Sequence, residues 1–386
     1  MSSPLLYLDH AASTPVDQRV LESMLPFFTE QYGNASSKLH SYGWEAAEAV
    51  SVAREQVADL IGCISDEIIF TSGATESLNL AIRGVAETYA MKGNHIITCA
   101  TEHRAVLDTC TAMEKKGMVI TKLQVDTNGQ INLDQLRDAI SSTTILIALM
   151  HANNETGVIH PITEIGKIAK EKGVLFLCDA SQSAGKISLD VQESGIDLLS
   201  ISAHKLYGPK GVGALYVRRK GPRVQLFPQI TGGGHERGWR SGTLNVPGIV
   251  GLGKAAEIAH SEMLQEAERL TKMKLKMEDI FEKHLNATVN GATAERLPGI
   301  SNCCFHLQNH ATMLGGMAKI AAVSNGSACS SALQTPSHVL TAMGLSETDC
   351  KSSVRFSIGR GTDEKILTEK TKEIISLIQK LQQEER

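Results

Sequence analysis

The sequence predicts an α/β protein built on a mostly parallel sheet covered by helices, followed by a smaller α+β unit. Three observations carry that prediction. Between residues 67 and 217, short apolar runs alternate with amphipathic stretches of helical length, the rhythm of βα units. The runs are apolar throughout rather than alternating, so both faces of their sheet are covered. After Pro247 the pattern changes to one long charge-studded helical stretch, Ile249 to Leu285, with isolated strand-like pieces behind it.

Taken in order, Leu5 to Leu8 reads as a short strand and Trp44 to Ile61 as an amphipathic helix with Ala46, Ala49, Val50, Ala53, Val57 and Leu60 on one face. A strand over Glu67–Thr71 runs into a helix that continues to about Met91. Strands are predicted over 95–98, 119–124, 145–150, 174–178, 198–202 and 214–217, with helices between most of them. Strand-like pieces at 301–307 and 354–358 and a closing helix from Ile366 to Leu381 complete the chain. The expected large domain spans 15–255. Residues 1–14 join 256–386 in a small domain that carries a loop at about 322–335.

A hydrophobic fraction of 42% against 21% charged residues describes a protein with a substantial core. The net charge of -4 gives no reason to expect nucleic acid or a membrane surface as partner, and Arg218-Arg219-Lys220 is short enough to read as a solvated strand end. Eight cysteines are too few for a disulfide-stapled secreted domain. The N-terminus lacks a basic region before its short apolar run, unlike a signal peptide. A cytoplasmic protein is expected.

The chemistry centres on Lys205, in Ser202-Ala-His-Lys-Leu-Tyr-Gly-Pro209, where a buried strand reaches its end. An amine desolvated there tends to lose its proton and becomes a nucleophile able to form a Schiff base. Asp179 ends the preceding strand, at the sheet edge where open α/β folds place ligands. A carboxylate at that point can keep a pyridinium nitrogen protonated, as pyridoxal phosphate (PLP) requires. Gln182 can donate to the ring oxygen, and His103 can stack on the ring and move protons. Ser72-Gly-Ala-Thr-Glu-Ser77 lies where a strand passes into a helix, so its amides and the Thr75 hydroxyl form a phosphate cradle. Asn154 follows another strand at the same edge. Arg355 can clamp a carboxylate bidentately. Cys329, in Ser324-Asn-Gly-Ser-Ala-Cys-Ser-Ser331, sits in a small, polar segment that reads as a mobile loop, where a thiolate can reach a cofactor and then present its product elsewhere. His151, His160 and His235 lack metal-ligand spacing and read as structural.

With these residues in place the chain resembles the cysteine desulfurases of the NifS/IscS type, in the class V aminotransferase group of fold-type I PLP enzymes. The resemblance runs from Tyr7 to about Thr362. It rests on Leu8-Asp-His-Ala-Ala-Ser-Thr-Pro15, Phe70-Thr-Ser-Gly-Ala-Thr-Glu-Ser77, Ala152-Asn-Asn-Glu-Thr-Gly157, the Lys205 motif, Gly232-Gly-Gly-His-Glu-Arg237 with Arg240-Ser-Gly-Thr243, and Gly326-Ser-Ala-Cys-Ser330. It implies that Lys205 holds PLP covalently, with Asp179 on the ring nitrogen, Gln182 on the ring oxygen and His103 stacked as acid–base. Ala74, Thr75, Ser202 and His204 would hold the phosphate. Thr243 would reach the phosphate of a second subunit, which implies a homodimer. Asn154 and Arg355 would fix the substrate L-cysteine, and Cys329 would carry a persulfide to an acceptor protein. That acceptor would serve iron–sulfur cluster assembly, tRNA thiolation or DNA phosphorothioation. A selenocysteine or cysteine/cystine lyase on the same fold is the alternative enzyme, and a non-catalytic sulfur-relay scaffold the alternative of another class. The chain ends at Arg386 without the longer tail with which housekeeping members dock their scaffold, and residues 306–319 depart from the family pattern around Gly315-Gly316, where a more regular helix is expected.

Overall fold

A computed structural model describes residues 5–325 and 336–385. Twelve strands are present among them: β1 (Leu6–Tyr7), β2 (Ile68–Thr71), β3 (His95–Cys99), β4 (Val119–Leu123), β5 (Thr144–Met150), β6 (Leu175–Asp179), β7 (Leu198–Ser202), β8 (Gly213–Val217), β9 (Thr288–Val289), β10 (Ile300–Cys304), β11 (Ala321–Ala322) and β12 (Ser353–Ser357). Seven form the central sheet, in the order β2-β8-β7-β6-β5-β3-β4. Pairings from β4 through β7 are parallel, and β8 runs antiparallel to both β7 and β2. The sheet is therefore mixed at one end and parallel across the rest.

Every residue of β5, β6, β7 and β8 is buried. Apolar side chains fill both faces, Ile147, Phe176 and Leu199 toward one core and Leu146, Leu177 and Leu198 toward the other. Such runs cannot alternate with polar residues, because neither face meets water. Helix Ser41–Ile61 lays Ala46, Val50, Ala53 and Val57 against the first core and stops at Gly62, whose φ of 70° suits the left-handed C-terminal position.

The chain beyond the central sheet is organised by a single helix, Val246–Leu285. Asn245 caps it by accepting from the Gly248 amide, and Asn286 ends it in the left-handed region. Its first half packs in the core of the large sheet through Ile249, Leu252 and Ala256, and its second half in another core through Met273, Met277 and Phe281. That second core lies on the antiparallel sheet β12-β10-β9 and also takes in Phe305, Phe356 and the closing helix Glu364–Glu384. The segment from 306 to 319 contains helix His310–Met317, so the two glycines do not prevent a helix there.

One sequence expectation is overturned. Arg218 is not a solvated strand end but a buried cation, 8% exposed. Its guanidinium donates to the carbonyls of Val191 and Ile196 and pairs with Asp197 at 3.2 Å. Burial is tolerated because the charge is both paired and hydrogen-bonded. Arg219 follows the expectation and remains nearer the surface, paired with Asp66.

Candidate active site

The C-terminal ends of β5, β6 and β7 and the start of helix Ala74–Thr88 surround a cavity of about 500 Å³. Ala74, Thr75, His103, Asn154, Asp179, Gln182, Ser202, His204, Lys205 and Arg355 all line it. Of the residues singled out in the sequence, Thr243 is exposed and outside this lining, and Cys329 lies outside the described residues.

Lys205 closes a short 3-10 turn, Ala203–Lys205, that begins as β7 ends. Its Nζ donates to the carbonyls of Ala11 at 2.6 Å and Ala12 at 2.8 Å. Asp179 is the last residue of β6. Its Oδ1 accepts from the Ser181 amide at 3.0 Å and the Ser181 hydroxyl at 2.5 Å, which fixes one oxygen of a carboxylate that lines the cavity. Gln182 donates from Nε2 to the Ala11 carbonyl and accepts at Oε1 from Lys186 Nζ at 3.0 Å. An amide carries a second N–H, so the Gln182 donor capacity is not exhausted.

His103 caps helix Arg104–Glu114, its Nδ1 accepting from the Ala105 amide at 3.1 Å. An amide can only donate, so the neutral ring carries its proton on Nε2. Burial lowers its pKa below 6.5, against the pull of the Asp179 carboxylate, and the positive charge of Lys205 pushes the same way as burial. His204 is held at about 4 by burial and by Lys205.

The helix-bearing side of the cavity begins at Gly73. Its φ of 146° is a conformation that residues with a side chain rarely adopt, and it turns β2 into the helix whose first residues, Ala74 and Thr75, line the cavity. Those first-turn amides have no acceptor within the helix. Glu76 stands beside them, accepting from the Ser72 amide and pairing with Arg240 at 2.8 Å.

Across the cavity Arg355 is 1% exposed on β12. It pairs with Asp9 at 2.6 Å and donates to the Asn154 carbonyl at 2.9 Å. At that burial its guanidinium is not a solvated surface group. Sequence reasoning assigned no task to Asp9, Ala11, Ala12 or Lys186. The first three belong to a motif that carried the resemblance, but their partners stand 171 to 346 positions away. Burial lowers the Lys186 amine to about 7, and the Lys205 charge adds to this. Glu102 is fully buried, with its carboxyl well above the usual range for that reason.

Residues 6–367 match the family model described as aminotransferase class-V. The chain is 53% identical to a cysteine desulfurase IscS from Anaeromyxobacter sp. (strain Fw109-5), over 98% of this chain and 93% of that one. A solved "NifS-like protein" superposes with a TM-score of 0.91 at 37% identity, covering 98% of this chain and all of that chain. A second solved structure, "SspA in complex with cysteine", gives a TM-score of 0.82 at 40% identity, over 92% and 98% of the two chains.

Proposed function

Because the chain belongs to the class-V aminotransferase family, with cysteine desulfurases as relatives over nearly its full length, we propose that it is a PLP-dependent cysteine desulfurase. It takes the sulfur of L-cysteine, leaves L-alanine, and holds the sulfur as a persulfide on Cys329. The observation that carries this reading is the convergence of Lys205, Asp179, His103 and Arg355 on one cavity.

The residues present fit PLP. A helix N-terminus opened by a positive-φ glycine, with Ser202 and His204 beside it, suits the phosphate. Asp179 is a carboxylate partner for a ring nitrogen, Gln182 has a spare N–H for the ring oxygen, and the amine of Lys205 shares the Ala11 carbonyl with Gln182. Bound there, PLP supplies an electron sink for a carbanion next to the substrate nitrogen.

The protein groups do the rest. Arg355 uses two of its five N–H groups on Asp9 and Asn154, and the others receive the substrate carboxylate with Asn154 beside it. Lys205 and His103 move protons, His103 through Nε2, since Nδ1 is occupied. The Cys329 thiolate attacks the substrate sulfur, the carbon–sulfur bond breaks, and the electron pair remains with the alanine-forming fragment until it is protonated. The downstream flank of the Cys329 segment is anchored near the cavity: Ser337 donates to Glu155 at 2.5 Å, and His338 Nε2 donates to the Glu102 carbonyl at 2.9 Å.

The exposed Thr243 serves the phosphate of a second subunit in a homodimer, and the persulfide passes to an acceptor protein in the cytoplasm. Among the described residues no helix is long and apolar enough to cross a membrane. The chain divides into a PLP-binding domain, 15–255, and a small domain of 1–14 with 256–386. The test is alanine formed from L-cysteine in the presence of a thiol reductant, for the purified protein and Cys329→Ala side by side. Alanine from the first and almost none from the second is expected. Equal alanine from both would remove Cys329 from the mechanism and favour a lyase.

A further inference from the structure

Away from the cavity, three ligand-bearing side chains meet at the end of the small sheet. Cys304 ends β10, His306 follows it two residues later, and Asp349 lies in the short helix Glu347–Lys351 that precedes β12. Cys304 Sγ stands 3.5 Å from His306 Nδ1 and 3.5 Å from Asp349 Oδ1, and the nitrogen and that oxygen are 2.8 Å apart. We propose that Cys304, His306 and Asp349 form a binding site for a zinc-type divalent cation, with a fourth position open to water.

The distances are those a tetrahedral ion needs. Zinc bond lengths to sulfur, imidazole nitrogen and carboxylate oxygen give tetrahedral edges of about 3.5 Å for S···N and S···O and about 3.3 Å for N···O. Two edges already match, and the third opens by about 0.5 Å when an ion replaces the hydrogen bond. Sulfur, nitrogen and oxygen together select a borderline-soft cation over magnesium or calcium, which favour oxygen alone.

The surroundings prepare the ligands. His306 has a φ of 53°, unusual for a residue with a side chain, and this backbone accompanies a ring whose Nδ1 faces Cys304. Its Nε2 lies 3.0 Å from the Thr288 hydroxyl. A hydroxyl can donate or accept, so it serves the imidazole in both of its states. Without an ion, Nδ1–H donates to Asp349 and Nε2 accepts from Thr288. With an ion on Nδ1, the ring proton moves to Nε2 and is given to Thr288. Asp349 Oδ2 accepts from the Ser346 hydroxyl at 2.7 Å, which leaves Oδ1 for the ion. Cys304 is 1% exposed, whereas the side chains of His306 and Asp349 are 39% and 33% exposed, so entry is from their side. On binding, the Cys304 thiol releases its proton to solvent and a sulfur–metal bond forms. No electron changes hands.

The site would join β10 to the helix Glu347–Lys351. The Lys351 carbonyl accepts from Asn325 at 3.4 Å, the last described residue before the Cys329 segment. Occupancy therefore stiffens one anchor of that segment.

The test is a titration of the holoenzyme with Zn²⁺ in competition with a chromophoric chelator. One ion per chain is expected for the unmodified protein and for Cys329→Ser. Cys304→Ser and Asp349→Asn should each weaken it at least about a hundredfold, and Thr288→Val about tenfold through loss of the Nε2 partner. Thr288 is exposed and Asp349 half-buried, so the last two variants fold even if Cys304→Ser does not. Co²⁺ in place of Zn²⁺ should give the intense visible bands of a tetrahedral thiolate site, at wavelengths beyond the cofactor's absorption. Binding unchanged in Asp349→Asn and Thr288→Val, binding lost only in Cys329→Ser, or no stoichiometric binding at all would each overturn the proposal.

Discussion

The cavity has two kinds of wall, and they are held in different ways. The sheet edge at β5, β6 and β7 is fixed by a continuous parallel ladder, so Asp179 and the start of the Lys205 turn are placed by backbone hydrogen bonds. The facing strap, Leu8 to Thr14, has almost no ladder of its own. It is held by single contacts to distant parts of the chain: Asp9 to Arg355, the Ala11 amide to the Ser357 hydroxyl, the Ala11 carbonyl to Gln182 and Lys205, and Thr14 to the His204 carbonyl. The sheet edge carries Asp179 and Lys205, and the strap holds the side chains of Lys205, Gln182 and Arg355 in place. Damage to the strap should therefore disturb the site without unfolding the sheet.

Removing the Asp9 charge should have the largest effect on that distinction. Asp9→Asn leaves Arg355 buried with an incomplete partner set, and breaking a buried pair costs about 3 kcal/mol. Asp9 is partly exposed, at 19%, which places the cost at the lower end of that range. Urea unfolding should show the loss in the sheet β12-β10-β9 that carries Arg355, with a raised KM for L-cysteine as Arg355 shifts. If the KM is unchanged, the strap does not aim Arg355.

A smaller effect is expected from Gly359→Ala. The added methyl would overlap the His10 ring, which packs directly on the Gly359 backbone. Overpacking of that kind costs about 1–3 kcal/mol. His10 should swing away and carry Ala11 and Ala12 with it, loosening Lys205. With PLP on Lys205 as proposed, the absorbance of the bound cofactor should then titrate at a different pH. An unchanged titration with lowered stability would confine the effect to packing.

The two walls also differ in how far they could be read from the sequence. The sheet edge was legible because apolar runs of strand length announce buried strands, and the polar residues that end them, Asp179 and Ser202 to Lys205, must face the ligand edge. The strap was legible only as a motif. Nothing in the local pattern around Asp9 indicates a partner 346 positions away, since tertiary pairing leaves no periodicity. Arg218 was misread for the same reason: a basic cluster normally faces water, and only the carbonyls of Val191 and Ile196 with Asp197 make its burial tolerable. Cys304, His306 and Asp349 share that limit, because the third ligand comes from a separate element.

The last contrast lies in acid. The β5 edge carries two imidazoles held neutral by burial, His151 and His160, both lowered to about 4. His160 is 1% exposed, and neither of its ring nitrogens has a hydrogen-bond partner among the described residues. In the unfolded chain such a ring titrates near 6.5. Above that pH both states are neutral and the ring contributes no pH dependence. As the pH falls from 6.5 toward 4, the unfolded chain takes up a proton that the folded chain refuses, so stability is lost on acidification at up to about 1.4 kcal/mol per pH unit for each such ring. Below about 4 the folded ring is protonated as well, and its share of the slope ends. His160→Gln should remove one ring's share of that slope, whatever it does to stability at neutral pH. Urea unfolding at several pH values between 7 and 5 measures it directly. Parallel stability curves for the two proteins would mean that His160 gains its proton without opening the sheet edge.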